Sequence, residues 1–291
     1  MKMLVIGLDG AAPEMLFGDE HLINFHRVME FGCYGRLESN RPLTGEQAWL
    51  SLATGQDPGP LPGITLWDQV VRQGDHAIIA GWLPFEVAEA KGLTVHRFDD
   101  GLPDAEDLAT GDQAELKGHI YSTGRGQFET VRQLLQSEAW NYFQFIETGL
   151  GRISHDPDPI VVRAYYRHLD AQLGSILGML SDDTMILVSF IQVTPAPSPQ
   201  PPVPPTEPRK GSPQPGFFIL AAPNNPLIGE VEGAQLVDIA PTLLELAGYD
   251  IPEAMQGRSL VSGVALDTAT GLSVDDEEIL RERLSGLGYV S

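Results

Sequence analysis

An α/β fold with a mostly parallel central sheet is predicted by three features of the sequence. A continuous apolar run stands at Met3–Leu8, and further strand-like stretches at Ala77–Ala80, Tyr142–Ile146 and Met185–Phe190, a pattern that suits strands covered on both faces. Stretches of helical periodicity, among them Leu22–Phe31, Leu66–Arg72 and Ile160–Leu180, alternate with them. No internal repeat and no all-helical or all-strand block interrupts the alternation, which is the signature of helices packed on both faces of a parallel sheet.

The first run ends at Asp9-Gly10, at the carboxyl end of its strand, where side chains of such sheets commonly meet ligand. Pro13 opens a helical stretch, and a second covers Leu22–Phe31. Gly32 is placed to stop it in the left-handed conformation. Residues 34–39 read as a strand, and Pro42-Leu43-Thr44-Gly45 as a turn into a helix start at Gln47–Leu52. The Pro- and Gly-rich Asp57–Gly63 reads as a rigid loop. A helix at Leu66–Arg72 then leads to the Ala77–Ala80 strand.

Residues 83–135 are acidic and loop-rich and read as a small insert beside the main sheet. Ile160–Leu180 is the clearest helix, with Val161, Tyr165, Leu169, Leu173, Ile176 and Leu180 on one face, ended by Asp182-Asp183. Between Pro195 and Pro215, ten of 21 residues are proline; a stretch so poor in backbone donors reads as an extended or disordered loop. Phe217–Ala221 resumes as a strand. Leu236–Ala247 reads as a helix, with Asp238 or a near neighbour at its N-cap and Gly248 past its end. Ser273 caps a last, acidic helix, Val274–Leu284. The expected organisation is a core over 1–265 and a C-terminal acidic helix and tail over 266–291.

Composition narrows the functional classes. A chain of 291 residues with 42% apolar content buries an ample core without a disulfide or structural metal. The single cysteine, Cys33, excludes an intramolecular disulfide and reads as a small core residue. A net charge of -22 argues against nucleic acid or an anionic membrane as partner, since both recruit basic surfaces. Residues 1–9 lack a signal-peptide pattern, and no run approaches the ~20 apolar residues of a membrane helix. The expectation is a cytoplasmic protein.

Three stretches together carry a resemblance. They are Val5-Ile6-Gly7-Leu8-Asp9-Gly10, then Arg41 to Gly55 (RPLTGEQAWLSLATG), and Val237-Asp238-Ile239-Ala240-Pro241-Thr242-Leu243-Leu244 followed by Ile251-Pro252 and Gln256-Gly257-Arg258. In order and spacing the chain resembles the alkaline phosphatase superfamily, in its type I phosphodiesterase/nucleotide pyrophosphatase branch, as far as about residue 260. The resemblance implies a three-layer α/β/α sandwich with a reduced cap insert. It also implies a phosphoester hydrolase with two zinc-like ions about 4 Å apart, six Asp and His ligands, and a Ser or Thr nucleophile activated by metal coordination. Its substrate would be a phosphoester or nucleotide-like small molecule.

Carried over position by position, Asp9 matches the first ligand and Thr44 the nucleophile. The mid-chain Asp and the His four residues later fall on Gly151 and His155. The Asp-His pair after the Val-Ser of the late strand falls on Phe190 and Ile191, and the last His on Pro213. Only Asp9 and His155 remain of the six, and the resemblance assigns them to different metals. A zinc site usually needs three or four protein ligands, so weak or absent binding of zinc or similar divalent cations is expected. Two readings follow. One is a degenerate member acting as a binding module. The other is a metal-rearranged phosphodiesterase using Asp9, Thr44 and His155. The Pro-rich stretch begins where the missing pair belongs, as in a remodelled loop or an altered reading frame.

Other residues carry weaker signals. His96, Asp99 and Asp100 offer the side chains of a new metal site but read rather as an exposed acidic hairpin, and Gly124-Arg125-Gly126 lacks the Lys and spacing of a phosphate loop.

Overall fold

Among the described residues, the alternating runs build one nine-stranded sheet with helices on both faces. The computed structural model describes residues 1–59, 63–81, 87–98, 113–154, 156, 158–191, 216–223 and 225–262. The chain divides into two compact units, Met1–Val261 and Ser262–Ser291. The expected Pro-rich loop at 195–215, the Val274–Leu284 helix, His155, Asp99, Asp100 and Pro213 lie outside the described residues.

The strands are β1 (Lys2–Asp9), β2 (Cys33–Glu38), β3 (Ala77–Gly81), β4 (Leu93–Arg97), β5 (Tyr142–Glu147), β6 (Thr184–Ile191), β7 (Gly216–Ala221), and the two-residue β8 (Gly229–Glu230) and β9 (Ala234–Gln235). Their order is β4-β3-β5-β1-β6-β7-β2-β8, with β9 also on β2. The block from β4 to β6 is parallel. Only β7 runs against its neighbours β6 and β2. The helices are α1 (Glu14–Gly18), α2 (Ile23–Glu30), α3 (Gly45–Thr54), α4 (Leu66–Arg72), α5 (Gln113–Ser137), α6 (Gly149–Ile153), α7 (Pro159–Leu177) and α8 (Ile239–Ala247).

Alternation along each strand sorts the core into two layers. Leu4, Ile6 and Leu8 of β1 face one layer, which α2, α5, α6 and α7 complete with Phe25, Phe128, Ile153 and Tyr165. Met3 and Val5 face the other, completed by Trp49 of α3, Trp67 of α4 and Leu243 of α8. This is the three-layer α/β/α sandwich expected.

Four local expectations are corrected. Residues 83–135 are not simply an insert beside the sheet. Within them β4 pairs with β3 as the edge of the main sheet, and α5 packs Phe128 on Phe145 of β5. The glycines of α5 dilute its helical pattern in the sequence, and Gly124 and Gly126 stand in mid-helix. Gly32 does not take a left-handed conformation; it is glycine because a Cβ there would lie 2.1 Å from the Leu220 carbonyl oxygen. The long helix stops at Gly178, before Asp182-Asp183. The Leu236–Ala247 stretch opens as a 3-10 turn over Leu236–Asp238 before α8 begins. Asp238 stands at the N-cap position of α8, as expected, but makes no side-chain cap bond there. Its carboxylate instead accepts from the backbone N–H groups of Gln235 (2.9 Å) and Arg258 (2.8 Å).

Candidate functional site

Parallel pairing aligns the carboxyl ends of β1, β5 and β6. Asp9 lies opposite Ile191 across β1–β6, and Leu8 opposite Glu147 across β1–β5. The Gly10 N–H donates to the Ile191 carbonyl at 2.7 Å, so the turn after Asp9 is fastened to the end of β6. Gly10 has φ +77°, and a Cβ there would lie 2.3 Å from the Gly151 Cα. The close approach of α6 to β1 therefore requires glycine at position 10.

Asp9 stands on the α3 side of the sheet. Its Oδ1 accepts a hydrogen bond from Trp49 Nε1 at 3.0 Å. Burial pushes its carboxyl pKa up, while the indole bond and the Arg152 guanidinium pull it down. Thr44 is the N-cap of α3 in a capping box: its Oγ1 accepts from the Gln47 N–H (3.3 Å), and its own N–H donates to Gln47 Oε1 (3.1 Å). Thr44 is exposed, and it precedes Trp49 by five residues, about 7.5 Å along the helix axis. One helix thus carries both the expected nucleophile and the partner of the expected ligand.

The exchanged positions are equally clear. Phe190 and Ile191 are regular residues of β6 and fully buried. Phe190 contacts the rings of Phe25 (5.7 Å) and Phe217 (5.9 Å), and Ile191 faces the α3 layer. Gly151 is beside Asp9: a Cβ on Gly151 would lie 3.6 Å from Asp9 Oδ2. The backbone thus holds position 151 where a carboxylate would join Asp9, and the side chain is missing.

Two residues were not singled out in the sequence. Glu147 ends β5 fully buried and accepts from the Gly149 N–H (2.7 Å), the Leu150 N–H (3.1 Å) and Tyr165 Oη (2.8 Å). It caps the first turn of α6, since Thr148 makes no side-chain cap. Burial pushes its pKa up against these three bonds. A glutamate closing the Tyr142–Ile146 strand is its signal in the sequence. Trp49 lies within the Arg41–Gly55 motif, but a bond across forty residues has no local trace.

No protein-family model matches the chain. A segment of 47 residues is 49% identical to the 2,3-bisphosphoglycerate-independent phosphoglycerate mutase of Thermomicrobium roseum, spanning 15% of this chain and 9% of that protein. Solved structures align along most of the chain. The 2-O GAG sulfatase BT1596 superposes with a TM-score of 0.60 at 14% identity, over 89% of this chain and 73% of that one. The phosphonate monoester hydrolase of Agrobacterium radiobacter gives 0.59 at 15% identity, over 89% and 76%. An alkaline phosphatase superfamily protein from Vibrio parahaemolyticus gives 0.56 at 16% identity, over 89% and 69%. The chain therefore shares the α/β/α fold of these solved structures.

Among the described residues, the side chains at the strand ends do not fit a pair of dications. Among the described residues, no three His, Cys, Asp or Glu side chains gather to hold a metal ion. Asp9 has an indole, a glycine and an isoleucine around it where further ligands are needed. No helix among the described residues is long and apolar enough to cross a membrane.

Proposed function

We propose that this chain is a type I phosphodiesterase/nucleotide pyrophosphatase-like protein that has lost two-metal hydrolysis. In this reading it acts as a binding module for a phosphoester or nucleotide-like small molecule. The observation that carries the proposal is what stands at the exchanged ligand positions. Phe190 and Ile191 are buried strand residues, and position 151 offers only a Cα. A hydroxyl such as that of Thr44 is too weak an acid to attack without a metal or a base, and its capping box already engages it.

The second reading, a hydrolase with Thr44 as nucleophile, draws support from two facts: Thr44 is exposed at the start of α3, and α3 is bonded to Asp9. Metal analysis after dialysis against zinc, beside an assay with bis(p-nitrophenyl) phosphate, separates the two. Less than stoichiometric zinc and no turnover above background are expected. A turnover that disappears both with chelator and in Thr44→Ala establishes the hydrolase instead.

A further inference from the structure

We infer that Asp9 serves this chain as a structural strut fastening helix α3 to the end of β1, in place of a ligand's role. The inference rests on the functional reading above. It starts from Trp49, which is 2% exposed and lies against the backbone of β1. A Cβ on Gly7 would be 2.5 Å from Trp49 Cη2 and 2.8 Å from Cζ3, with Ile146 Cγ1 at 3.2 Å on the other side. An indole held so tightly over the sheet cannot turn its N–H toward water. A buried donor without an acceptor costs the desolvation of that group, and Asp9 Oδ1 at 3.0 Å supplies the acceptor.

The dependence is mutual. Asp9 is half-buried at the strand end, next to Ile191 and the Gly10–Gly151 contact. The indole bond satisfies one of its oxygens. The bond joins the two elements on which the resemblance places ligand and nucleophile, and so holds α3 to the sheet.

The roles differ in what they do to stability. A residue retained only for a ligand commonly costs stability, so its removal is neutral or stabilising. A strut is missed when removed. The test compares melting temperatures of chelator-treated wild type, Asp9→Asn, Asp9→Ala, Trp49→Phe and the Asp9→Ala/Trp49→Phe double variant. Asp9→Asn keeps an oxygen acceptor for the indole and is expected to melt with the wild type. Asp9→Ala is expected to melt about 2–6 °C lower. The double variant is expected to lose less than the sum of its single changes.

Three results overturn the inference: Asp9→Ala melting as high as wild type, Asp9→Asn falling as far as Asp9→Ala, or strictly additive losses. Stoichiometric zinc with turnover in the untreated protein defeats the functional reading instead. It leaves the comparison of metal-stripped variants unaffected, so the two failures are told apart.

Discussion

Gly10 and Gly151 meet backbone to backbone, with no room for a Cβ on Gly10 and a tight fit for one on Gly151, 3.3 Å from the Asp9 carbonyl oxygen. The two glycines therefore answer substitution for different reasons.

Gly10→Ala forces a left-handed φ on a residue with a Cβ and drives that Cβ into the Gly151 backbone. The expected loss is about 2–4 kcal/mol. Urea unfolding of the variant beside the wild type measures it, and a loss below about 1 kcal/mol contradicts the packing described.

Gly151→Asp introduces a carboxylate whose Cβ sits 3.6 Å from Asp9 Oδ2. Like charges so placed repel. In chelator the variant is expected to melt below the wild type, and zinc is expected to raise its melting temperature while leaving the wild type unchanged. A variant indifferent to both additions shows that the two side chains do not meet.

Glu147 tests the other strand end. Glu147→Ala leaves Tyr165 Oη and two backbone N–H groups without their acceptor. The expected cost is about 2–4 kcal/mol, with Glu147→Gln losing less because it keeps one acceptor oxygen. Hydrogen exchange at the Gly149 and Leu150 amides should accelerate in Glu147→Ala beyond the global change. Unchanged protection there assigns the α6 cap elsewhere.

Asp19 gives the pH dependence. Arg167 Nε lies 2.8 Å from Asp19 Oδ2, and this pairing, first among its causes, holds the carboxyl well below the usual carboxylate range. The folded pKa is thus lower than the unfolded one. Over the acid range the unfolded chain binds the extra proton, so the contribution is present above about pH 4 and is lost as pH falls further. The stability difference between wild type and Asp19→Asn should shrink as pH is lowered from 6 toward 2.5. A difference constant over that range removes the ion pair as its origin.

The layers were legible because each depends on local pattern. The apolar runs of β1, β3, β5 and β6 and the periodicity of α4 appear within a residue or two of their expected limits. What escaped notice depends on contacts between distant segments. Gly32 looks like a helix stop, yet its reason is Leu220, on a strand far along the chain. The glycines within α5 weaken its helical pattern, while Phe128 packing on Phe145 restores the helix. At the site, Asp9 and Thr44 were readable as motif positions. The indole bond to Asp9 and the triple role of Glu147 arise only when α3, α6 and α7 dock on the sheet.

The rung joining Ile191 to Gly216, beside that of Phe190 and Phe217, has a consequence for how this protein can vary. The chain departs from the sheet and returns at neighbouring points, so the length between costs little closure entropy. The Ile191–Gly216 rung thus marks a natural graft point beside the end of the strand that Asp9 closes.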